Sequence, residues 1–177
     1  MDVFAALADF SARASVPFIV IGGHAVIAHG YPRLTADIDI AIPEDDLPKW
    51  ARWLAEHGYQ PRPRTTAFQQ FSAPPGTDWP IDLMLLDRPP FDKLWSGSSP
   101  ADFGSAALPI PDPQHLIAMK LHALRHGPRK RKYKDLTDVI EIMRRRAIQP
   151  DDARFRASIQ RYATPEIESE IRRSLGA

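Results

Sequence analysis

The chain contains no cysteine, which removes disulfide frameworks, thiolate zinc sites and cysteine nucleophiles from consideration. No apolar run approaches the ~18 residues that a membrane span needs. The first ten residues carry Asp2 and Asp9 but no Lys or Arg. A secretory leader is therefore not expected there, and a cytoplasmic location is. What is present is ordinary for a folded protein, with 44% hydrophobic and 25% charged residues in a chain of 177. At about 100–200 residues per domain, that length predicts one domain, or one domain with a helical annex.

Charge is distributed unevenly. Residues 1–119 have a net charge of −6, residues 120–146 have +7, and residues 147–177 balance. A compact basic segment behind an acidic front half suits a polyanionic partner such as a nucleotide or nucleic acid, although a solvated helix face would read the same way. The 18 prolines are the second oddity, eleven of them between Pro61 and Pro113. That stretch is expected to hold short strands joined by stiff loops, with few long helices.

Periodicity predicts the order of elements. Asp2–Ser15 reads as an amphipathic helix, and Pro17–Ile21 as a buried strand closed by Gly22-Gly23. A short helix over His24–His29 follows, then a strand over Ala36–Ile42, a helix over Glu44–His57, and strands over Thr65–Ser72 and Ile81–Leu86. Beyond Pro111 the pattern is helical, with Asp112-Pro113 as N-cap and first residue of Gln114–His126. Lys132–Arg146 and two shorter helices complete the chain. Strands mixed with helices and then a run of helices define an α+β class. The expected division is an α/β core over residues 1–111 and a C-terminal helical part over residues 112–177.

The densest group of chemically capable residues is Gly22-Gly23 followed by Arg33-Leu34-Thr35-Ala36-Asp37-Ile38-Asp39. Asp37 and Asp39 are at i and i+2 of a strand, so both project from one face, about 7 Å apart along it. Burying an ionised carboxylate costs several kcal/mol unless something pairs with it. Two side by side also repel, so a cation resolves the arrangement. Oxygen-only ligation selects a hard ion, Mg²⁺ or Mn²⁺. Asp82, the single acid in Ile81–Leu86, can supply a third carboxylate if its strand lies beside the first. Three carboxylates suit a two-metal site about a phosphorus under in-line attack. The Gly-Gly turn offers backbone N–H groups to phosphates. A lone D-x-D or a lone G-G is common; the joint order is what points to chemistry.

On a wheel of about 100° per residue, Lys120 falls between Leu116 and Leu124, inside the apolar arc of its helix. Such a lysine either snorkels or reaches an anion. His115, His122 and His126 fall together on the opposite face and read as solvated, despite the i, i+4 metal spacing of the last two. In Lys132–Met143 the expected buried stripe is Leu136, Val139, Ile140 and Met143, flanked by Asp135 and Asp138, which can cap or pair with nearby basic residues. Arg129–Lys132 and Arg144–Arg146 offer a nonspecific electrostatic foothold for a polyphosphate or an RNA backbone.

Ile21-Gly22-Gly23-His24-Ala25-Val26, His29–Ile40 and Ile81-Asp82-Leu83 together resemble the nucleotidyltransferase (polymerase-β-like) superfamily. Leu116–Leu121 and Lys134-Asp135-Leu136-Thr137-Asp138 are similar to its small bacterial branch with the AbiEii-type toxins. The resemblance implies the nucleotidyltransferase fold, a small mixed sheet flanked by helices. It implies transfer of a nucleoside monophosphate from a Mg²⁺-bound nucleoside triphosphate to an acceptor hydroxyl. Asp37 and Asp39 would hold the ions, and Asp82 would complete the site or act on the attacking hydroxyl. Gly22, Gly23 and Thr35 would contact the triphosphate, with Arg33 and with His24, which stands where many relatives carry Ser or Thr. Lys120 would bind phosphate, and at least one of Asp135 and Asp138, with Lys134 beside them, would orient Lys120 or the acceptor. The expected acceptor is RNA or tRNA, and the expected partner an antitoxin protein. Two other readings share these residues: transfer to a small hydroxyl compound such as an antibiotic, and a catalytically silent nucleotide- or partner-binding module.

Overall fold

A computed structural model describes residues 2–76, 79–126 and 132–176. Two compact units make up the chain: Met1–Ala28 with Arg33–Pro111, and His29–Pro32 with Asp112–Ala177.

The first unit opens with helix α1, Val3–Ala14, capped by the Asp2 carboxylate, which accepts from the N–H groups of Phe4 and Ala5. Strand β1 is only Ile19–Val20, and helix α2, Gly22–Ala28, begins on the glycine pair itself. Strand β2, Ile38–Pro43, is buried at every residue except Asp39. The long helix expected from Glu44 divides instead into a 3₁₀ turn, Glu44–Asp46, and helix α3, Leu47–Glu56. Pro48 explains the break: inside a helix running from residue 44 its ring would meet the carbonyl of Glu44, whereas in a first turn it is harmless. Strands β3, Gln60–Pro61, β4, Phe68–Ser72, and β5, Ile81–Leu86, follow. Helix α4, Arg88–Ser96, and a hairpin of β6, Ser99–Asp102, with β7, Ala107–Ile110, complete the unit. Their prolines hid them from the periodicity. Pro89 and Pro90 occupy the first turn of α4, and Pro100 opposes Pro109 in a two-stranded ribbon whose outer edges need no donors.

Five strands form one sheet in the order β1-β2-β5-β4-β3. Only β2 and β5 run parallel; the other pairs are antiparallel. The parallel register sets Ile38, Ile40 and Ile42 beside Ile81, Leu83 and Leu85, with Asp39 beside Asp82. The six aliphatics are buried, each worth roughly 1.5–3 kcal/mol. They face one way and the two carboxylates the other. This mixed sheet with flanking helices is the α+β architecture expected.

The second unit is helical: α5, Pro113–His126, α6, Lys132–Arg145, α7, Ala153–Tyr162, and α8, Pro165–Leu175. Asp112 caps α5 by accepting from the His115 N–H at 2.8 Å. The buried face of α6 departs from the expected stripe. Asp135, Asp138 and Ile142 are buried with Val139, Ile140 and Met143, while Leu136 is only half-buried. The reason is Lys120, whose ammonium reaches Asp135 at 2.8 Å and Asp138 at 2.9 Å across the α5–α6 contact. A cation on one helix draws two acids of the next into the interior. Burial works to lower the Lys120 pKa, but the Asp138 and Asp135 carboxylates outweigh it, and the net shift is upward.

Lys120→Met keeps an apolar stem of similar length but leaves the two acids without their ammonium. Breaking a buried pair in this way costs about 3–5 kcal/mol. Denaturant unfolding is expected to show a loss in that range, and a loss well under 1 kcal/mol (about a surface pair's worth) would contradict the ion-pair account.

Candidate active site

The β2–β5 register is what assembles the acidic group. Residues directly opposite in neighbouring strands share a face about 4.8 Å apart, which sets Asp39 and Asp82 side by side. Asp37 lies two residues before Asp39, in the bend that leads into β2 rather than in the strand expected from Ala36. One oxygen from each of Asp37, Asp39 and Asp82 lies within 4.8 Å of the other two. Asp82 is buried, and Asp37 and Asp39 are half-buried. Among the described residues, no other three His, Asp or Glu side chains meet in this way.

Two like charges at about 4–5 Å repel by about 3–4 kcal/mol at an effective dielectric of 20. Against a total stability of about 5–15 kcal/mol for an ordinary domain, three such pairs form a large unfavourable sum. A divalent cation would offset it. The donor set, three carboxylates whose hard oxygens converge within 4.8 Å, fits such an ion.

The flanking residues serve the acids. Gly22 has φ +59°, and a Cβ there would stand 1.9 Å from Asp39 Oδ2. A Cβ on Gly23 would stand 2.3 Å from Thr35 Oγ1. The glycine pair is thus the space into which Asp39 and Thr35 fit, a role that a reading of the pair as a phosphate turn alone did not foresee. The Ile21 N–H donates to the Asp39 carbonyl at 2.9 Å, tying the start of α2 to β2. Thr35 Oγ1 donates to Asp37 Oδ1 at 3.2 Å. Gln70 Nε2 donates to Asp82 Oδ2 at 2.6 Å. Sequence reasoning missed Gln70 because its relation to Asp82 is a cross-strand register, not a spacing along the chain.

His24 is buried among Phe4, Trp79 and Phe103, with ring centroids 5.1, 5.2 and 6.4 Å away. Burial pushes its pKa down, the Asp37 charge works against this, and the Arg33 charge adds to the fall. The imidazolium that could hold an anion is therefore disfavoured. Any contact from His24 to phosphate would come from a neutral ring N–H.

The remaining expected site residues lie in the helical unit. Lys120, Asp135 and Asp138 come together as described, with a formal charge of −1, so this lysine already reaches anions of its own chain. Lys134 is exposed on α6. His122 and His126, tilted rings 4.6 Å apart between centroids, are exposed as expected of a solvated face, whereas His115 is half-buried with Nδ1 2.8 Å from Asp112 Oδ2. Of the basic runs, residues 129–131 lie outside the described residues. Arg144 and Arg145 pair with Glu141 at 2.6 and 4.0 Å, and Arg146 meets His29 Nδ1 at 3.0 Å. Part of the foothold expected for a polyanion is engaged within the chain.

Comparison with known proteins gives the family and the fold. Residues 4–172 match the family described as "Uncharacterised nucleotidyltransferase". The chain belongs to that family of nucleotidyltransferases, transferases of nucleotidyl groups. Among solved structures, the fold is similar to ANT(2'')-Ia in complex with adenylyl-2''-tobramycin (14% identity, TM-score 0.68, 91% of this chain and 99% of that one). It is also similar to an antigenic nucleotidyltransferase-like protein from Paracoccidioides brasiliensis (15%, 0.57, 96% and 90%). The lincomycin-bound lincosamide antibiotic adenylyltransferase LnuA is a third (15%, 0.56, 77% and 91%). No curated protein matches. Among the described residues, no helix is long and apolar enough to cross a membrane.

Gly22→Ala sets a Cβ against Asp39 and adds about 1–2 kcal/mol of left-handed backbone cost. A lowered melting temperature together with lost divalent-ion binding is the expected result, and unchanged ion binding would contradict the close-approach account. For His24 the folded pKa is below the unfolded one, so its contribution to stability is full above the unfolded value of 6.5. It declines as pH falls towards the folded value. In metal-free buffer, wild type and His24→Phe are expected to differ by a constant amount above pH 7, with wild type losing ground below about pH 6. Parallel melting curves across that range would contradict it.

Proposed function

We propose that the chain transfers a nucleoside monophosphate from a nucleoside triphosphate to an acceptor hydroxyl, with Mg²⁺ or Mn²⁺ at Asp37, Asp39 and Asp82. The observation that carries this reading is the convergence of those three carboxylates within 4.8 Å of one another, Asp39 and Asp82 from adjacent strands and Asp37 from the bend before β2. Divalent ions held there would supply positive charge to the α-phosphate and lower the pKa of the attacking hydroxyl. The chain's own residues then have separate tasks. Asp37 and Asp39, in the space opened by Gly22, hold the metal end of the triphosphate. Thr35 and Arg33, beside Gly23, meet the phosphates, with His24 behind them. Asp82 takes the hydroxyl proton as the acceptor oxygen bonds to the α-phosphorus and the bond to the leaving pyrophosphate breaks. Lys120 is assigned to phosphate by the family resemblance alone, with Lys134, Asp135 and Asp138 as the residues that orient it or the acceptor.

For the acceptor, the +7 charge of residues 120–146 supports RNA, a tRNA end included. The AbiEii-type resemblance adds a toxin role in the cytoplasm with an antitoxin partner. A second reading, a small hydroxyl compound, is favoured by Arg144, Arg145 and Arg146 being paired within the chain. It also suits a fold that covers 99% of ANT(2'')-Ia, a protein seen with adenylylated tobramycin.

The test is incubation with each α-labelled triphosphate, Mg²⁺, and either total tRNA or a panel of small hydroxylated compounds. Label is expected in one acceptor class, and the signal is expected to vanish in Asp39→Asn and on chelation. Transfer to neither class would overturn the reading in favour of a silent binding module.

A further inference from the structure

Strand β4 extends the acidic row. Its register on β5 sets Gln70 opposite Asp82, just as β2 sets Asp39 opposite Asp82. Asp39, Asp82 and Gln70 are therefore one row across three adjacent strands, all on the face away from Ile40 and Leu83. The flanking row towards the starts of β2 and β5 is Ile38, Ile81 and Phe71, all buried. Gln69, next along β4, spends its own amide on the carbonyls of Arg62 and Gln70, at 2.8 and 3.1 Å. Gln70 alone of the pair turns to the acids.

Its donor direction is fixed by chemistry. An ionised carboxylate only accepts, so the Gln70 group at 2.6 Å from Asp82 Oδ2 is the amide N–H₂. Such a charge-assisted bond is among the stronger ones a side chain makes. It also stops rotation of the Asp82 carboxylate about its last bond, a torsion with broad, shallow preferences when left to itself. The orientation of that carboxylate decides whether an oxygen of Asp82 lies within reach of the oxygens of Asp37 and Asp39.

We infer that Gln70 is a positioning residue of the nucleotidyl-transfer site, which holds the Asp82 carboxylate in the rotation that completes the divalent-ion ligand set. The inference rests on the metal reading proposed above. A group that orients a metal ligand without touching the ion is worth about 10–100-fold in affinity or activity. Gln70 is half-buried, and two substitutions separate its donor from its bulk. Gln70→Met keeps the volume and removes the N–H, whereas Gln70→Asn keeps an amide one methylene too short to reach.

The experiment is a Mn²⁺ titration followed by the paramagnetic resonance of the free ion, for wild type, both Gln70 variants and Asp39→Asn, with thermal melting alongside. Wild type is expected to bind, Asp39→Asn to lose binding, and both Gln70 variants to bind about tenfold more weakly while still melting as cooperatively folded proteins. In wild type, titration with Mg²⁺ should also shift the Gln70 side-chain amide resonances, a readout that needs no variant. If wild type binds Mn²⁺ and Asp39→Asn does not, but the Gln70 variants bind like wild type or the amide resonances stay still, this inference fails and the metal reading survives. If wild type binds no ion, the metal reading fails and takes this one with it.

Discussion

The parallel pairing of β2 with β5 is the constraint on which the site depends. A strand has a side-chain period of two, so slipping this pair by one residue would set Asp39 against Ile81 or Leu83 and turn one acid into the core. The register is pinned by Ile38, Ile40 and Ile42 on one strand and Ile81, Leu83 and Leu85 on the other, all buried. At roughly 1.5–3 kcal/mol each, those six side chains are of the size needed to offset the carboxylate repulsion on the opposite face. Fold and site are therefore one interaction seen from two sides: apolar burial below the sheet holds together charges that would separate if left to themselves.

Around that pair, space is as important as bonding. Asp39 and Thr35 occupy positions that a methyl group on Gly22 or Gly23 would fill. The tight turn brings the first turn of α2 against the acids, and Thr35 and Gln70 each donate to one carboxylate, Asp37 and Asp82 respectively. Both donors come from segments far apart in sequence, before β2 and in β4. An acid row reached by donors from both flanks is fixed in orientation as well as in position.

What could be read along the chain was whatever has a local period. The i, i+2 spacing of Asp37 and Asp39 and the lone acid in Ile81–Leu86 picked out the three carboxylates that the fold brings within 4.8 Å of one another. Lys120 stood out because it broke an apolar arc. Its partners did not, because helical spacing alone made Leu136 the better core residue and Asp135 and Asp138 its flanks. A buried cation on a neighbouring helix reversed that order. Gln70 carries no signal of its own: a glutamine in a short strand is unremarkable until the register sets it opposite Asp82. The β6–β7 hairpin and α4 were hidden by proline, which marks breaks well but also fits first turns and ribbon edges. Local rules lose force where a non-local partner decides the outcome.

The charge map also bears on how a triphosphate could be received at all. Residues 1–119, which contain all three carboxylates, have a net charge of −6, and His24 beside them is held neutral by burial. A polyanion approaching such a surface meets repulsion that only short-range compensation can reverse, since exposed charges are screened within about 8–10 Å at ordinary salt. Arg33 offers one positive charge near the acids. The +7 of residues 120–146 is partly committed, Lys120 to two aspartates and Arg144 and Arg145 to Glu141. On the proposed reading, a nucleotide already carrying its divalent ion would bring positive charge with it, and the acids that repel a free polyanion would become the groups that hold the complex.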